Sequence, residues 1–232
     1  MRGRRLLLLA IALAAAAVLT VVLVVVATNS SKTNAPATTA KAVPVRALLA
    51  GIPQHGLELG RSGAPVTLVE FADPQCPFCA RWSDDTFPTV VRDYVRTGRL
   101  KLQYRGLHFI GPDSEKALRA ILAASFQNKL WNMVDALYAH QGKENSGWVT
   151  DKLLREVGSS IPGLDVAAMM GERDSKNVTT LIADDDVLAS QLSIPGTPSF
   201  FVERPPALPQ PLQLQSLDPS AFTAALDLAL VG

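Results

Sequence analysis

Cys76 and Cys79 are the only cysteines in the 232-residue chain, and two residues separate them. A pair at that spacing can close a disulfide between its own members. As a staple such a bond contributes little, because the constraint grows with the length of loop closed and this loop is minimal. Small secreted scaffolds use many cysteines as staples, so one isolated pair is not a structural framework. As a redox centre the spacing is useful. A helical pattern begins at the pair, which puts Cys76 where unpaired backbone N–H groups and the helix dipole favour a thiolate. Such placement lowers a thiol pKa by about one to five units, and stabilising the reduced thiolate makes the disulfide a stronger oxidant. Cys76 is therefore expected to be the exposed, attacked sulfur. Cys79, one turn further on, is expected to be the shielded, resolving thiol. Zinc would require four ligands, or three and a water. His55, His108 and His140 are scattered along the chain, so no metal site is expected, and the redox-active disulfide does the work of a cofactor.

The pair needs a frame that holds a helix start against a sheet. Val66 to Phe71 is an apolar run with one acid, Glu70; it reads as a strand buried on both faces. Asp73-Pro74 breaks it, and the cysteines follow. Phe87, Val91, Tyr94 and Val95 keep helical spacing, Pro88 kinks or restarts that helix, and Gly98 stops it. Leu100 to Tyr104 alternates as a second strand, completing a β-α-β unit with the cysteines at the strand–helix junction. Four helical patterns come next: Leu118 with Ile121 and Leu122; Trp131 with Val134 and Tyr138; Leu153 to Val157, capped by Thr150; and Val178 to Leu192. Ser199 to Val202 is a strand, with Leu212 to Leu214 expected to pair back on it as a hairpin. Asp218-Pro219 opens a C-terminal helix. The acidic run Asp184-Asp185-Asp186 reads as a solvated helix face.

Leu6 to Ala27 contains one polar residue, Thr20. As a helix it would run roughly 33 Å, enough to cross a hydrocarbon core of about 30 Å. Arg2, Arg4 and Arg5 precede it and by the positive-inside rule stay in the cytoplasm. The expected layout is a cytoplasmic stub over 1–5, a transmembrane anchor over 6–27, a linker over 28–44 and a catalytic domain over 45–232, outside the cytoplasm in the periplasm or cell envelope. A cleaved signal peptide is the rival reading, although its apolar region normally spans only about 7–15 residues. The net charge is +1; with the three leading arginines set aside, acids slightly outnumber bases. That balance offers no nucleic-acid surface.

Ala64 to Phe71, Asp73-Pro74-Gln75-Cys76-Pro77-Phe78-Cys79 and Gly196-Thr197-Pro198-Ser199-Phe200 together resemble the DsbA-like thiol–disulfide oxidoreductases, in the branch common among membrane-anchored envelope proteins. The resemblance runs from about Ile52 to the C-terminus. It implies an α/β, thioredoxin-like fold with a helical insertion over about 107–194. It implies that Pro198 is a cis proline against the disulfide, a bond where cis costs only about 0.5–1 kcal/mol over trans. Thr197 and Pro198, with Pro77 and Phe78 between the cysteines, then contact an extended substrate peptide by strand addition. Glu70 matches the family's buried acid, thought to relay protons to the second cysteine. Phe78 departs from the best-known oxidant of the family, which has a histidine there that helps hold the thiolate. The implied activity is oxidation of cysteines in exported proteins by a monomeric enzyme. A membrane quinone-linked thiol oxidase of the DsbB or VKOR type would recharge it. A reductase or isomerase is the nearest rival, and a peptide-binding or chaperone module without redox turnover is a third reading.

Overall fold

The computed structural model describes residues 45–231. Among them no helix is long and apolar enough to cross a membrane; the expected anchor, at 6–27, lies outside the described residues. After a single turn, α1 (Val45–Leu48), comes a hairpin of two-residue strands, β1 (Gln54–His55) and β2 (Glu58–Leu59). Gly56, at φ +58°, makes the turn between them, a conformation glycine adopts without steric cost. These two strands lack the length to show any period, and the sequence pattern misses them.

The expected β-α-β unit is present. β3 (Thr67–Ala72) is buried at all six positions. It is followed by α2 (Pro77–Asp85), α3 (Phe87–Val90), a π-helical turn (Val91–Val95) and β4 (Lys101–Gly106). The break between α2 and α3 falls at Thr86, with Pro88 in the first turn of the new helix, where a missing N–H costs nothing. β3 and β4 run parallel in register Thr67 to Lys101 through Ala72 to Gly106.

Five helices follow: α4 (Pro112–Ser125), α5 (Leu130–Tyr138), α6 (Asp151–Ser159), α7 (Val166–Glu172) and α8 (Lys176–Gln191). Thr150 caps α6 as expected, accepting a hydrogen bond from the Leu153 N–H. α7 was not expected; at seven residues its apolar face is too short to stand out, although Asp165 caps it. β5 (Ser199–Glu203) runs antiparallel to β3. The hairpin partner of β5 is β6 (Gln210–Pro211), not Leu212 to Leu214. The cis Pro205–Pro206 bond lies in the turn, and pairing begins two residues earlier than the apolar pattern suggests; the Leu212 N–H still bonds the Phe200 carbonyl at 2.8 Å. α9 (Pro219–Val231) closes the described chain. The sheet order is β1-β2-β4-β3-β5-β6, which places β3 in the middle.

Alternation along β3 divides the core. Leu68 and Ala72 join the large cluster beneath α2, α4, α5 and α9. Val69 and Phe71 join Leu107, Ala189 and Phe201 on the opposite face, under α8. Glu70 shares the face of Leu68 and Ala72, because strand side chains alternate with period two. Trp82 of α2 is the hinge of the larger cluster. Its ring lies 5.6 Å from Phe87, 4.9 Å from Phe200 and 5.7 Å from Phe222. Phe87 in turn stacks on Trp131 of α5 at 5.6 Å. One aromatic chain therefore fixes the cysteine-bearing helix against the sheet, the helical insertion and the C-terminal helix.

The Asp184-Asp185-Asp186 run is not a solvated face. The Asp185 side chain is fully buried, accepting from Arg105 Nη1 at 2.9 Å and from the Gly106 N–H at 2.8 Å. α8 lies over the end of β4, so its inward aspartate satisfies the edge of that strand. Asp184 and Asp186 remain outside.

Candidate active site

Cys76 is the N-cap of α2, with extended backbone at φ −69° and ψ 118°, and Pro77 is the first helical residue. Proline is pre-organised for that position, so the chain turns from β3 into α2 within a few residues. Asp73 drives the turn. Its Oδ1 accepts the Gln75 N–H at 2.8 Å and its carbonyl accepts the Cys76 N–H at 3.0 Å, an aspartate side chain closing on the backbone two residues ahead.

Both cysteines are free thiols. The expectation that Cys76 is exposed does not hold: the residue is 5 % accessible and Cys79 is 0 % accessible. The cover over Cys76 comes from the loop before β5. The Cys76 thiol donates to the Thr197 carbonyl at 3.1 Å, and the Thr197–Pro198 bond is cis, so the loop lies directly on the sulfur. Pro77 and Phe78 form the exposed rim, with Phe78 59 % accessible; Thr197 and Pro198 are half-buried beside them. Glu70, Cys76, Cys79, Thr197 and Pro198 thus converge on one end of β3 and β5. His108 does not join them; it faces Asp186 at 3.3 Å.

The two thiols differ sharply in acidity. Cys76 is lowered to about 6, first by the Cys79 side chain, against the opposing cost of burial, and then by the Thr197 side chain and the backbone N–H groups of Cys79 and Phe78. None of the groups that lower it is a cation. These N–H groups are the unpaired donors of the first helical turn. Cys79 is pushed well above its ordinary value by burial, by its neighbour Cys76 and by the charge of Glu70. At neutral pH the thiolate of Cys76 is therefore favoured, while Cys79 keeps its proton. Glu70 is raised to about 8, chiefly by burial and then by the charge of Cys76. It is 1 % accessible, and its Oε2 has no hydrogen-bond partner among the described residues. At pH 7 it is a neutral acid that holds a proton beside the shielded thiol. Tyr104 and Tyr138, buried against the same groups, are both raised well above the ordinary phenol and supply no charge.

Sequence reasoning missed a ring of polar residues behind the pair. Asp73 is 0 % and Gln75 1 % accessible, and both are fully engaged with side chains and loops of the helical insertion. Gln141 Nε2 also donates to the carbonyls of Pro74 and Cys76, at 3.0 and 3.2 Å. Only the Asp73 turn carried a local signal, an Asp-Pro two residues ahead of a helix start. The partners Ser114, Gln141 and Asn145 are 39 to 70 residues distant along the chain, and no local pattern points to them.

A pair of thiols made unequal by a helix start, with a cis X-Pro bond of an adjoining strand laid across the more acidic one, defines a thiol–disulfide exchange site on a thioredoxin-like fold. The comparisons with known proteins agree. A family model described as thioredoxin matches residues 54–210, and the chain belongs to that family as one of its DsbA-like protein disulfide oxidoreductases. It is 33 % identical over 147 residues to the "Probable disulfide bond formation protein D" of Bacillus cereus, covering 62 % of this chain and 68 % of that one. Among solved structures it is similar to a thioredoxin-like oxidoreductase from Silicibacter pomeroyi, with 32 % identity, a TM-score of 0.58, and 75 % of this chain matched to 92 % of that one. Oxidised BdbD from Bacillus subtilis shares the fold, with a TM-score of 0.66 at 23 % identity, over 78 % of this chain and 98 % of that one.

Two outcomes follow from the acidity of these groups. Alkylation of the reduced protein is expected to show an inflection at about pH 6 for Cys76. In Cys79→Ala, which removes the thiol donor, that inflection should move up by about a unit or more; an unmoved inflection would assign the acidity to the backbone alone. Glu70 gives the second. An acid raised in the folded state stabilises the fold only while neutral, so its contribution is intact below 4.5, falls as pH rises, and levels off above about 8. Glu70→Gln should therefore gain stability relative to the parent chain by about 1.4 kcal/mol per pH unit across that window. Urea unfolding from pH 4.5 to 8 measures it, and a pH-independent difference would mean that Glu70 is not held neutral.

Proposed function

We propose that the protein is a dithiol oxidase that donates the Cys76–Cys79 disulfide to cysteines of exported proteins. The observation that carries this reading is the acidity of Cys76 beside an unacidic Cys79. A stabilised thiolate favours the reduced enzyme and makes its disulfide a good electron acceptor.

The steps use the residues already described. A substrate thiolate attacks Cys76 Sγ; the Cys76–Cys79 bond breaks and Cys79 leaves as a thiolate. Such a poor leaving group needs a proton, and Glu70, which holds one at pH 7, is a buried acid close enough that its ionised form acts on Cys79. The substrate's second thiolate then attacks the substrate sulfur of the mixed disulfide, and Cys76 leaves as a stable thiolate. Two electrons have passed from substrate to enzyme, and the substrate has gained a disulfide. Thr197, Pro198, Pro77 and Phe78 form the surface against which an extended substrate segment lies, with the Thr197 backbone as the pairing edge.

The apolar stretch 6–27 and the arginines before it support an anchored enzyme with its N-terminus in the cytoplasm and its catalytic domain in the periplasm or cell envelope. An oxidase must be recharged, and a quinone-linked membrane thiol oxidase of the DsbB or VKOR type is the partner this reading requires. A monomer is the simplest assembly. A reductase or isomerase is favoured by one observation: Phe78 offers no side-chain donor to hold the Cys76 thiolate.

The reduction potential of the pair, read by equilibration with glutathione buffers at pH 7, separates the two directions. A value above about −180 mV is expected for the oxidase; a value near about −270 mV would place the protein with the reductants.

A further inference from the structure

The amide side chains of Gln75 and Asn145 interlock behind Cys76. Gln75 Nε2 donates to Asn145 Oδ1 at 3.1 Å and to Ser114 Oγ at 3.0 Å. Its Oε1 accepts the Asn145 N–H at 2.7 Å and Trp148 Nε1 at 3.2 Å. A buried amide with two donors and a two-lone-pair oxygen has no capacity left beyond these four bonds. Asn145 reaches on to a third segment, where its Nδ2 donates to the Ile110 carbonyl at 2.7 Å. The Ile110 N–H returns to the Asp73 carboxylate at 3.0 Å. The fit is close. A Cβ at Gly111 would stand 2.5 Å from Asn145 Oδ1, so that glycine leaves the space the amide fills. Asn145 itself holds φ +52°, a conformation asparagine tolerates better than most residues.

Three segments distant in sequence are therefore tied at one point: the turn that delivers Cys76, the loop after β4, and the loop between α5 and α6. Gln75 is joined to Cys76 through the peptide, so a Gln75 side chain held by four hydrogen bonds fixes where the Cys76 residue stands. The groups that favour the anion, the Cys79 side chain, the Thr197 side chain and the Cys79 and Phe78 N–H groups, must all face the sulfur, and hydrogen bonds lose strength steeply with misalignment.

We propose that Gln75 and Asn145 are positioning residues for the exchange reaction, a latch through which the helical insertion sets the geometry of the Cys76 thiol. Neither touches a sulfur or the substrate; they act through the backbone. The insertion is thus part of the redox centre rather than only a wall beside it.

The experiment compares Gln75→Ala, Asn145→Gly and the double variant in the full chain, with alkylation of the reduced protein by iodoacetamide from pH 4 to 9 as the readout. Asn145 is exposed, and glycine accepts its positive φ, so that variant folds even if loss of the buried Gln75 amide proves too costly. The control is Gln127→Ala, which removes another amide pair of the insertion, the one to the Asp165 backbone at 3.0 and 2.7 Å, far along the chain from the cysteines. Each latch variant is expected to raise the inflection of Cys76 by about one unit, which at pH 6 is about a fivefold slower reaction. The double variant should shift by less than the sum of the two single ones, because the Gln75 Nε2–Asn145 Oδ1 bond is lost in both. Gln127→Ala should leave the inflection in place while lowering stability. An unmoved inflection in folded Asn145→Gly, an additive double variant, or an equal shift in Gln127→Ala would overturn the proposal.

Discussion

Everything in this molecule turns on keeping two identical thiols, one helical turn apart, in opposite protonation states. Cys76 and Cys79 shift each other's acidity in opposite senses, Cys76 down and Cys79 up. The asymmetry comes first from the pair itself: the Cys79 thiol lowers Cys76, with smaller help from the Thr197 side chain and from N–H groups that have no partner of their own. Cys79 lies one turn inside, where burial dominates. Cationic side chains play no part in the difference. The fold achieves it by delivering a strand into a helix within a few residues and by closing the top with the Thr197–Pro198 segment.

That arrangement has a cost at the sheet centre. Glu70 occupies a position where strand alternation points it at the aromatic cluster of Trp82, Phe87 and Trp131, and a carboxylate there is expensive. The penalty is met by protonation, with the group raised to about 8, rather than by an ion pair. A buried acid without a cation is a poor structural element and a good proton store. The aromatic chain from Phe222 through Trp82 and Phe87 to Trp131 keeps water from relieving that burial. The packing of the helical insertion and the acid–base chemistry of the pair are consequently one problem with one solution.

Much of this was legible from residue order alone. The continuous apolar run of β3 announced a central strand, and the helical pattern that begins at the cysteine pair placed Cys76 at a helix start. Thr150, Pro88 and Pro219 sit where a cap, a restart and a first turn require those residue types. Glu70 stood out because one acid in a buried strand demands an explanation. The elements that escaped notice are short or relational. β1, β2 and α7 are too brief to show a period. Asp185 looked like one of three solvated acids, and only the end of β4 beneath α8 shows why it is buried. Cys76 was expected in the open because a local reading cannot know that a loop 121 residues later lies on it. The Gln75–Asn145 latch is hidden for the same reason: hydrogen-bonded amides leave no periodic trace.

The most direct test of the account is the pH dependence of the reduction potential of the Cys76–Cys79 pair. If Cys76 ionises at about 6 while Cys79 stays protonated, reduction takes up two protons with two electrons below that pH and only one above it. The potential should then fall by about 59 mV per pH unit below pH 6 and by about 30 mV per unit from there to pH 8. A single slope of about 59 mV per unit through pH 8 would show that both thiols remain protonated, and would contradict the asymmetry on which the whole account rests.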